Sequence, residues 1–223
     1  MTFTKQLENH VASKIIARLV PLGFKKSRDC DVLVKRERIP GVEERIGMTV
    51  AHYRNKGISL SCGPTMIHRD IAIAVDELAS DPGYYSPTPG KLSRPTMGTG
   101  LEQLMEPPML QQRSWDICSI GEAEECANHL IIQIESLAIP WLEKNANLAD
   151  AYDTLVKEIK TDRFPKYSSM LWFTAYLMAA KLDVPLDQGV MALIMRLAES
   201  EENGCRVARK IVAQENQKVS NQR

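Results

Sequence analysis

The chain has 223 residues, of which 44% are apolar and 25% charged, a composition that excludes disordered, collagen-like and fibrous classes and allows a substantial core. Its 28 basic and 28 acidic side chains cancel, which removes the usual electrostatic reason to expect a nucleic-acid or anionic-membrane partner. Five cysteines (Cys30, Cys62, Cys118, Cys126 and Cys205) are scattered and never form a C-x-x-C pair, a usage that fits free thiols in a reducing cytosol better than a disulfide framework or a zinc site.

The first segment is an amphipathic helix. Phe3, Leu7, Val11, Ile15 and Leu19 recur every four residues, and Ile16 and Val20 widen the stripe. Pro21 resists continuation, Gly23 can take the left-handed conformation that stops a helix, and Phe24 is placed to fold back as the apolar contact. With no apolar leader at Met1 to Gln6 and no run approaching the roughly 20 apolar residues of a spanning helix, a cytoplasmic protein without membrane contact is expected.

Alternation then takes over. Cys30 to Arg38 reads as a strand with two unequal faces. After Pro40-Gly41, a second strand places Ile46, Met48, Val50 and His52 on one face and Arg45, Thr49 and Tyr53 on the other. Asn55-Lys56-Gly57 fits a hairpin loop with glycine in the positive-φ position, and Ile58, Leu60 and Cys62 alternate with Ser59 and Ser61 in the third strand. In Ile67 to Val75, Ile71, Ile73 and Val75 alternate strictly, which predicts a further strand; Ile71, Val75 and Leu78 fit a helix as well.

Regular structure is expected to stop between residues 79 and 108, where ten prolines and glycines punctuate a connection far longer than the usual 4–6 residues or so. Met109 to Ile117 can return as a last strand. From Glu122 the chain reads as helical. Ala123, Cys126, Leu130, Ile134 and Leu137 form one stripe, and Pro140 ends or kinks that helix before Trp141-Leu142. Tyr152, Leu155, Val156 and Ile159 mark a shorter helix, Tyr167 to Leu182 is apolar nearly all round, and Val190, Leu193, Ile194 and Leu197 follow Pro185 in phase. A last helix around Cys205, Ala208, Ile211 and Val212 leads into a polar tail from Gln214 that is expected to fray.

These elements predict an α+β fold: a mainly antiparallel sheet of about four or five strands, covered by an N-terminal helix and a C-terminal helical set. Residues 1–160 would form the α+β domain and 161–223 a helical extension packed on it.

No pattern in the chain specifies a reaction, a cofactor or a metal. His68-Arg69-Asp70 matches a kinase catalytic-loop triplet but lacks the glycine-rich loop, the strand lysine and the metal-binding aspartate that mechanism needs. Gly98-Thr99-Gly100 lacks the context of a phosphate-binding loop and reads as flexibility. His52 and His68 would lie about 26 Å apart along the hairpin, too far to share a ligand. Glu44, His68 and Asp70 remain the residues from which an enzymatic site could assemble, with a structural Glu44–His68 ion pair the commoner outcome. Tyr84 and Tyr85, with Met97, Leu101 and Leu104 nearby, make the long loop the first candidate for a partner-binding surface.

The order of a helix ending in Pro21-Leu22-Gly23-Phe24-Lys25-Lys26, a meander of strands, and a helix running into Ala138-Ile139-Pro140-Trp141-Leu142 resembles an uncharacterised bacterial domain family of unknown function. Some of its relatives resemble immunity proteins of polymorphic and contact-dependent toxins. The resemblance covers roughly Phe3 to Lys160 and transfers no catalytic motif. It implies a non-enzymatic protein that neutralises a toxin by occupying its surface; a scaffold or dimerisation module built on the C-terminal helices is the third expectation. The oligomeric state is not legible in the sequence.

Overall fold

The computed structural model describes residues 2–28, 32–53, 57–79, 95–105, 115–161, 169–202 and 204–221. Its architecture is α+β, with six strands in one sheet among the described residues. By compactness the chain forms two units, Met1–Met66 with Gly98–Ala146 and Ile67–Met97 with Asn147–Arg223. The units therefore interleave along the chain instead of dividing once near residue 160.

The first unit begins with α1 (Phe3–Leu19), capped by the Thr2 side chain, which accepts from the Lys5 amide. Leu7, Val11, Ile15 and Leu19 are fully buried, as the four-residue period requires, while Phe3 stays largely exposed. The helix closes through a 3-10 turn (Val20–Leu22) into Gly23 at φ 86°, and the Phe24 amide donates to the Leu19 carbonyl. Phe24 is buried, completing the expected apolar stop.

Three long or edge strands follow in antiparallel order: β1 (Lys25–Lys26), β2 (Val32–Ile39) and β3 (Val42–Tyr53), with Lys25 opposite Lys35 and Arg36 opposite Glu44. β4 (Gly57–His68) pairs β3 on one side, and its other edge is shared by two short strands, β5 (Met97–Gly98) and β6 (Trp115–Ile117). Gly57 shows why that edge closes tightly. It has φ 133°, and a Cβ there would lie 2.2 Å from the Ile117 carbonyl oxygen, so the start of β4 accepts β6 only because no side chain intervenes. The same reasoning corrects the reading of Gly98 as flexibility: a Cβ would lie 2.7 Å from the Thr65 side chain, so this glycine permits close strand packing.

Two expectations about the middle of the chain change. Ile67 to Val75 is not a strand; β4 ends at His68 and passes directly into α2 (Arg69–Ala79). Ile71, Ala72 and Val75 are buried and Ile73 is exposed, so the helical period governs here even though Ile71, Ile73 and Val75 also alternate. Within residues 79–108 the described part is ordered, holding β5 and the single helical turn α3 (Leu101–Leu104). Asn55 and Lys56, Met109 and its neighbours up to residue 114, Tyr167 and Cys30 lie outside the described residues.

α4 (Ile120–Gln133) starts at Ser119, whose hydroxyl accepts from the Glu122 amide while the Glu122 carboxylate accepts from the Cys118 amide at 2.6 Å. It packs along α1 and against β6. Regular α-helix stops at Gln133, ahead of Pro140. A π turn (Ile134–Ala138) shifts the hydrogen bonding so that the Ile139 amide reaches the Ile134 carbonyl, and α5 (Ile139–Asn145) continues with proline in its first turn.

In the second unit, α6 (Leu148–Lys160), α7 (Ser169–Leu182), α8 (Gln188–Ala198) and α9 (Cys205–Asn221) form the helical set. α7 packs against α2, α6 and α8, which explains why it is apolar on several sides. α9 extends through the stretch expected to fray: Gln214 accepts from the Tyr176 hydroxyl at 3.0 Å, and Lys218 pairs with Glu215 at 2.7 Å.

Candidate functional site

Strand alternation puts Val34 and Arg36 of β2 on the same face as Glu44, Ile46 and Met48 of β3, and Arg38, within the register shift between Arg36 and Ile39, also reaches Glu44. Val34 and Ile46 are fully buried there, so Arg36 and Glu44 are charges carried on an inward face. Register resolves the conflict by setting Arg36 directly opposite Glu44. Arg36 Nε donates to Glu44 Oε2 at 2.6 Å, and Arg38 Nε and Nη2 both lie 2.8 Å from Glu44 Oε1. Both carboxylate oxygens are thus held by guanidinium groups, the arrangement that makes burial of such a charge tolerable.

Arg36 is fixed on its remaining sides as well. Nη1 donates to the Leu22 carbonyl at 3.1 Å, and the guanidinium lies 4.3 Å over the Phe24 ring. α5 then brings Glu143, whose Oε1 is 3.5 Å from both Arg36 Nη2 and Arg38 Nη1. The side chains grade outward, from Glu44 at 1% and Arg36 at 7% exposed to Arg38 at 41% and Glu143 at 49%. Exposed apolar residues adjoin these elements along the chain: Val20 and Leu22 in the turn whose Leu22 carbonyl Arg36 grips, and Ile39 after Arg38 in β2, at 48%, 42% and 45%. The adjoining edge strand carries Lys25 and Lys26, both exposed.

A second polar group joins α1 to α4. Glu124 accepts from Lys14 and lies 2.8 Å from His10 Nε2, and these partners, Lys14 first, hold its carboxyl down to about 2. Farther along, Arg18 bonds Glu135 at 2.5 Å, so the two helices run in the same direction. His52 on β3 reaches Glu8 of α1 at 3.0 Å. These contacts lie at the surface and tie elements together.

The residues singled out from the sequence fall as follows. Glu44 is engaged by Arg36 and Arg38, which leaves neither oxygen available as a base. Asp70 is 76% exposed and pairs with Lys181 at 3.2 Å. His68 is buried at the end of β4, where its amide donates to Thr96 Oγ1 at 3.2 Å. Met97 and Leu101 are 1% and 3% exposed, so they pack into the interior and present no surface; Tyr84 and Tyr85 lie outside the described residues. Among the described residues no group of three or more His, Cys, Asp or Glu side chains is placed to hold a metal ion, and no helix is long and apolar enough to cross a membrane. Cys62 and Cys126 are buried and their thiols are pushed up to about 12 by burial, whereas Cys118 is exposed.

Arg36, Arg38 and Glu143 went unremarked in the sequence. For the two arginines a signal existed: they share parity with Val34, and a charge in phase with an inward residue needs a buried counter-charge. No family model, no curated protein and no solved structure matches this chain.

Proposed function

We propose that the chain is a non-enzymatic, cytoplasmic protein-binding protein, an immunity protein that neutralises its toxin by covering part of the toxin's surface. The observation that carries this reading is the braced, part-exposed pair Arg38 and Glu143, with exposed Ile39 adjoining Arg38 along β2 and exposed Leu22 in the turn whose carbonyl Arg36 grips. Interfaces favour this composition: arginine and large apolar side chains at the centre, charge at the rim, and a rigid support that leaves little ordering cost on binding. The resemblance of Pro21 to Lys26 and Ala138 to Leu142 to stretches of an immunity-containing family supports the same reading, and both stretches border this surface. Mechanistically, occlusion needs shape and charge complementarity and no chemistry from the chain itself.

The test is direct. Where a toxin domain is encoded immediately upstream, it is mixed with this chain and binding is measured by calorimetry together with the toxin's activity. A complex at sub-micromolar concentration with loss of toxin activity is expected, and Leu22→Ser with Ile39→Ser should weaken it at least tenfold. Failure to form any complex at micromolar concentrations overturns the proposal.

A further inference from the structure

We infer that Glu143 occupies, in the free protein, a carboxylate site that an acidic side chain of the partner takes over on binding. This rests on the protein-binding reading and names the chemistry of the partner: a protein surface with an exposed Asp or Glu beside apolar residues.

The geometry is that of a site formed around a weakly held occupant. Arg36 Nη2 and Arg38 Nη1 converge on one oxygen, Glu143 Oε1, each at 3.5 Å. That distance exceeds the 2.7–3.2 Å or so of a formed hydrogen bond. Arg36 Nη2 is buried and makes no hydrogen bond, a costly state for a charged donor. Neither guanidinium can swing to improve the fit. Arg36 is held by Glu44, the Leu22 carbonyl and the Phe24 ring, and Arg38 is held by Glu44. Glu143, half exposed on α5, is the movable member. Two fixed guanidinium edges aimed at one point suit a planar carboxylate that approaches from solvent and bonds both at once.

Charge around the site supports the same partner. With Glu143 turned aside, the rim presents Arg38 together with the exposed Lys26 of the edge strand, which register sets on the face of Val34 and Arg36 and whose ammonium has no ionic partner among the described residues. Leu22, in the turn that Arg36 grips, and Ile39, after Arg38 in β2, are exposed and supply apolar contact. A basic and apolar surface can also meet an anionic membrane, but convergence of two fixed donors on a single oxygen selects one carboxylate in one orientation, which a protein partner supplies.

The probe is an acetylated and amidated peptide, Glu-Leu-Glu-Leu-Glu, with Lys-Leu-Lys-Leu-Lys as its control, titrated into the full chain by calorimetry. Glu143→Gln should bind the acidic peptide about five- to tenfold tighter than the native chain, near the tenfold that about 1.4 kcal/mol represents, and neither protein should bind the lysine peptide. Arg38→Gln in the Glu143→Gln background should abolish the gain. Lys26→Glu, which leaves the buried charges untouched, should weaken it severalfold. Equal affinity of the native and Glu143→Gln proteins, or equal binding of the two peptides, overturns the inference. So does binding of Glu143→Gln to phosphatidylglycerol vesicles without binding to the acidic peptide. The two proposals fail separately: peptide binding without a complex with the upstream toxin domain sinks the immunity reading alone. A toxin complex indifferent to Glu143→Gln and Arg38→Gln sinks the carboxylate site alone.

Discussion

The first unit contains two networks of similar composition and opposite consequence. At the β2–β3 pair, Arg36 and Arg38 hold Glu44; across α1 and α4, Lys14 and His10 hold Glu124. Each is a carboxylate gripped by two basic side chains. They differ in what surrounds them. Glu44 is 1% exposed and Glu124 is 40% exposed, so water competes for the second and not the first. A buried pair is defined by the penalty for leaving one member alone, whereas an exposed pair exchanges protein contacts for solvent contacts at small net effect. Geometry alone does not make a network structural; desolvation does.

The sharpest way to break this contrast is to remove one buried charge. Glu44→Ala should destabilise the fold by about 3–5 kcal/mol, because Arg36 is left charged and desolvated. Urea unfolding followed by circular dichroism measures it. Replacing both members, Arg36→Met with Glu44→Leu, should recover most of that loss, since the uncompensated charge disappears with its partner. If the double variant is as unstable as the single one, desolvation is not what distinguishes the two networks.

Cysteines read the same gradient without any mutation. Burial pushes the Cys62 and Cys126 thiols up to about 12, which reduces their thiolate fraction at neutral pH by roughly a thousandfold relative to an ordinary thiol near 8.5–9. Under native conditions a disulfide reagent should label Cys118 promptly and leave Cys62 and Cys126 unlabelled until denaturant is added. Rapid native labelling of Cys126 would show that the α4 face is open.

What could be read in the sequence follows the range of the interactions. The stripe of α1 and its stop at Gly23 and Phe24 were legible because every contributing residue lies within a few positions of the next. Alternation in β2 to β4 was legible for the same reason. Ile71 to Leu78 misled because strand and helix patterns coincide over so short a window, and burial of Ala72 with exposure of Ile73 is what separates them. β5 and α3 were hidden because two-residue strands and single turns depend on a neighbour, here β4, and not on a period of their own. The site was half visible. Glu44 was noticed but assigned to His68, since its true partners are fixed by the β2–β3 register and Glu143 arrives only through the helix that passes Pro140.

The exposed network responds to pH in a defined direction. Glu124 has its carboxyl depressed from 4.5 to about 2 by Lys14 and then His10. Its stabilising contribution is therefore present above the ordinary carboxylate value and is lost as pH falls from about 4.5 towards 2. Glu124→Gln should lower stability between pH 6 and 8 or so by the modest amount an exposed pair carries, far less than Glu44→Ala, and flatten the acid limb across that window so that the two curves converge near pH 2. An acid limb identical to that of the native chain would mean that Lys14 and His10 do not engage Glu124 in solution.

The smallest effect belongs to His52. It meets Glu8 at 3.0 Å with 41% of its side chain exposed, and Lys5 also pairs with Glu8, at 2.5 Å. Glu8 therefore keeps a cationic partner when the histidine is removed. His52→Gln should change stability by less than about 0.5 kcal/mol, inside the range of exposed pairs. A loss above about 2 kcal/mol on urea unfolding would place His52 with the buried network, because only a desolvated contact carries that much. It would then be the link between α1 and β3 that holds the helix on the sheet, a role that the buried Leu7, Val11 and Ile15 otherwise fill through apolar packing.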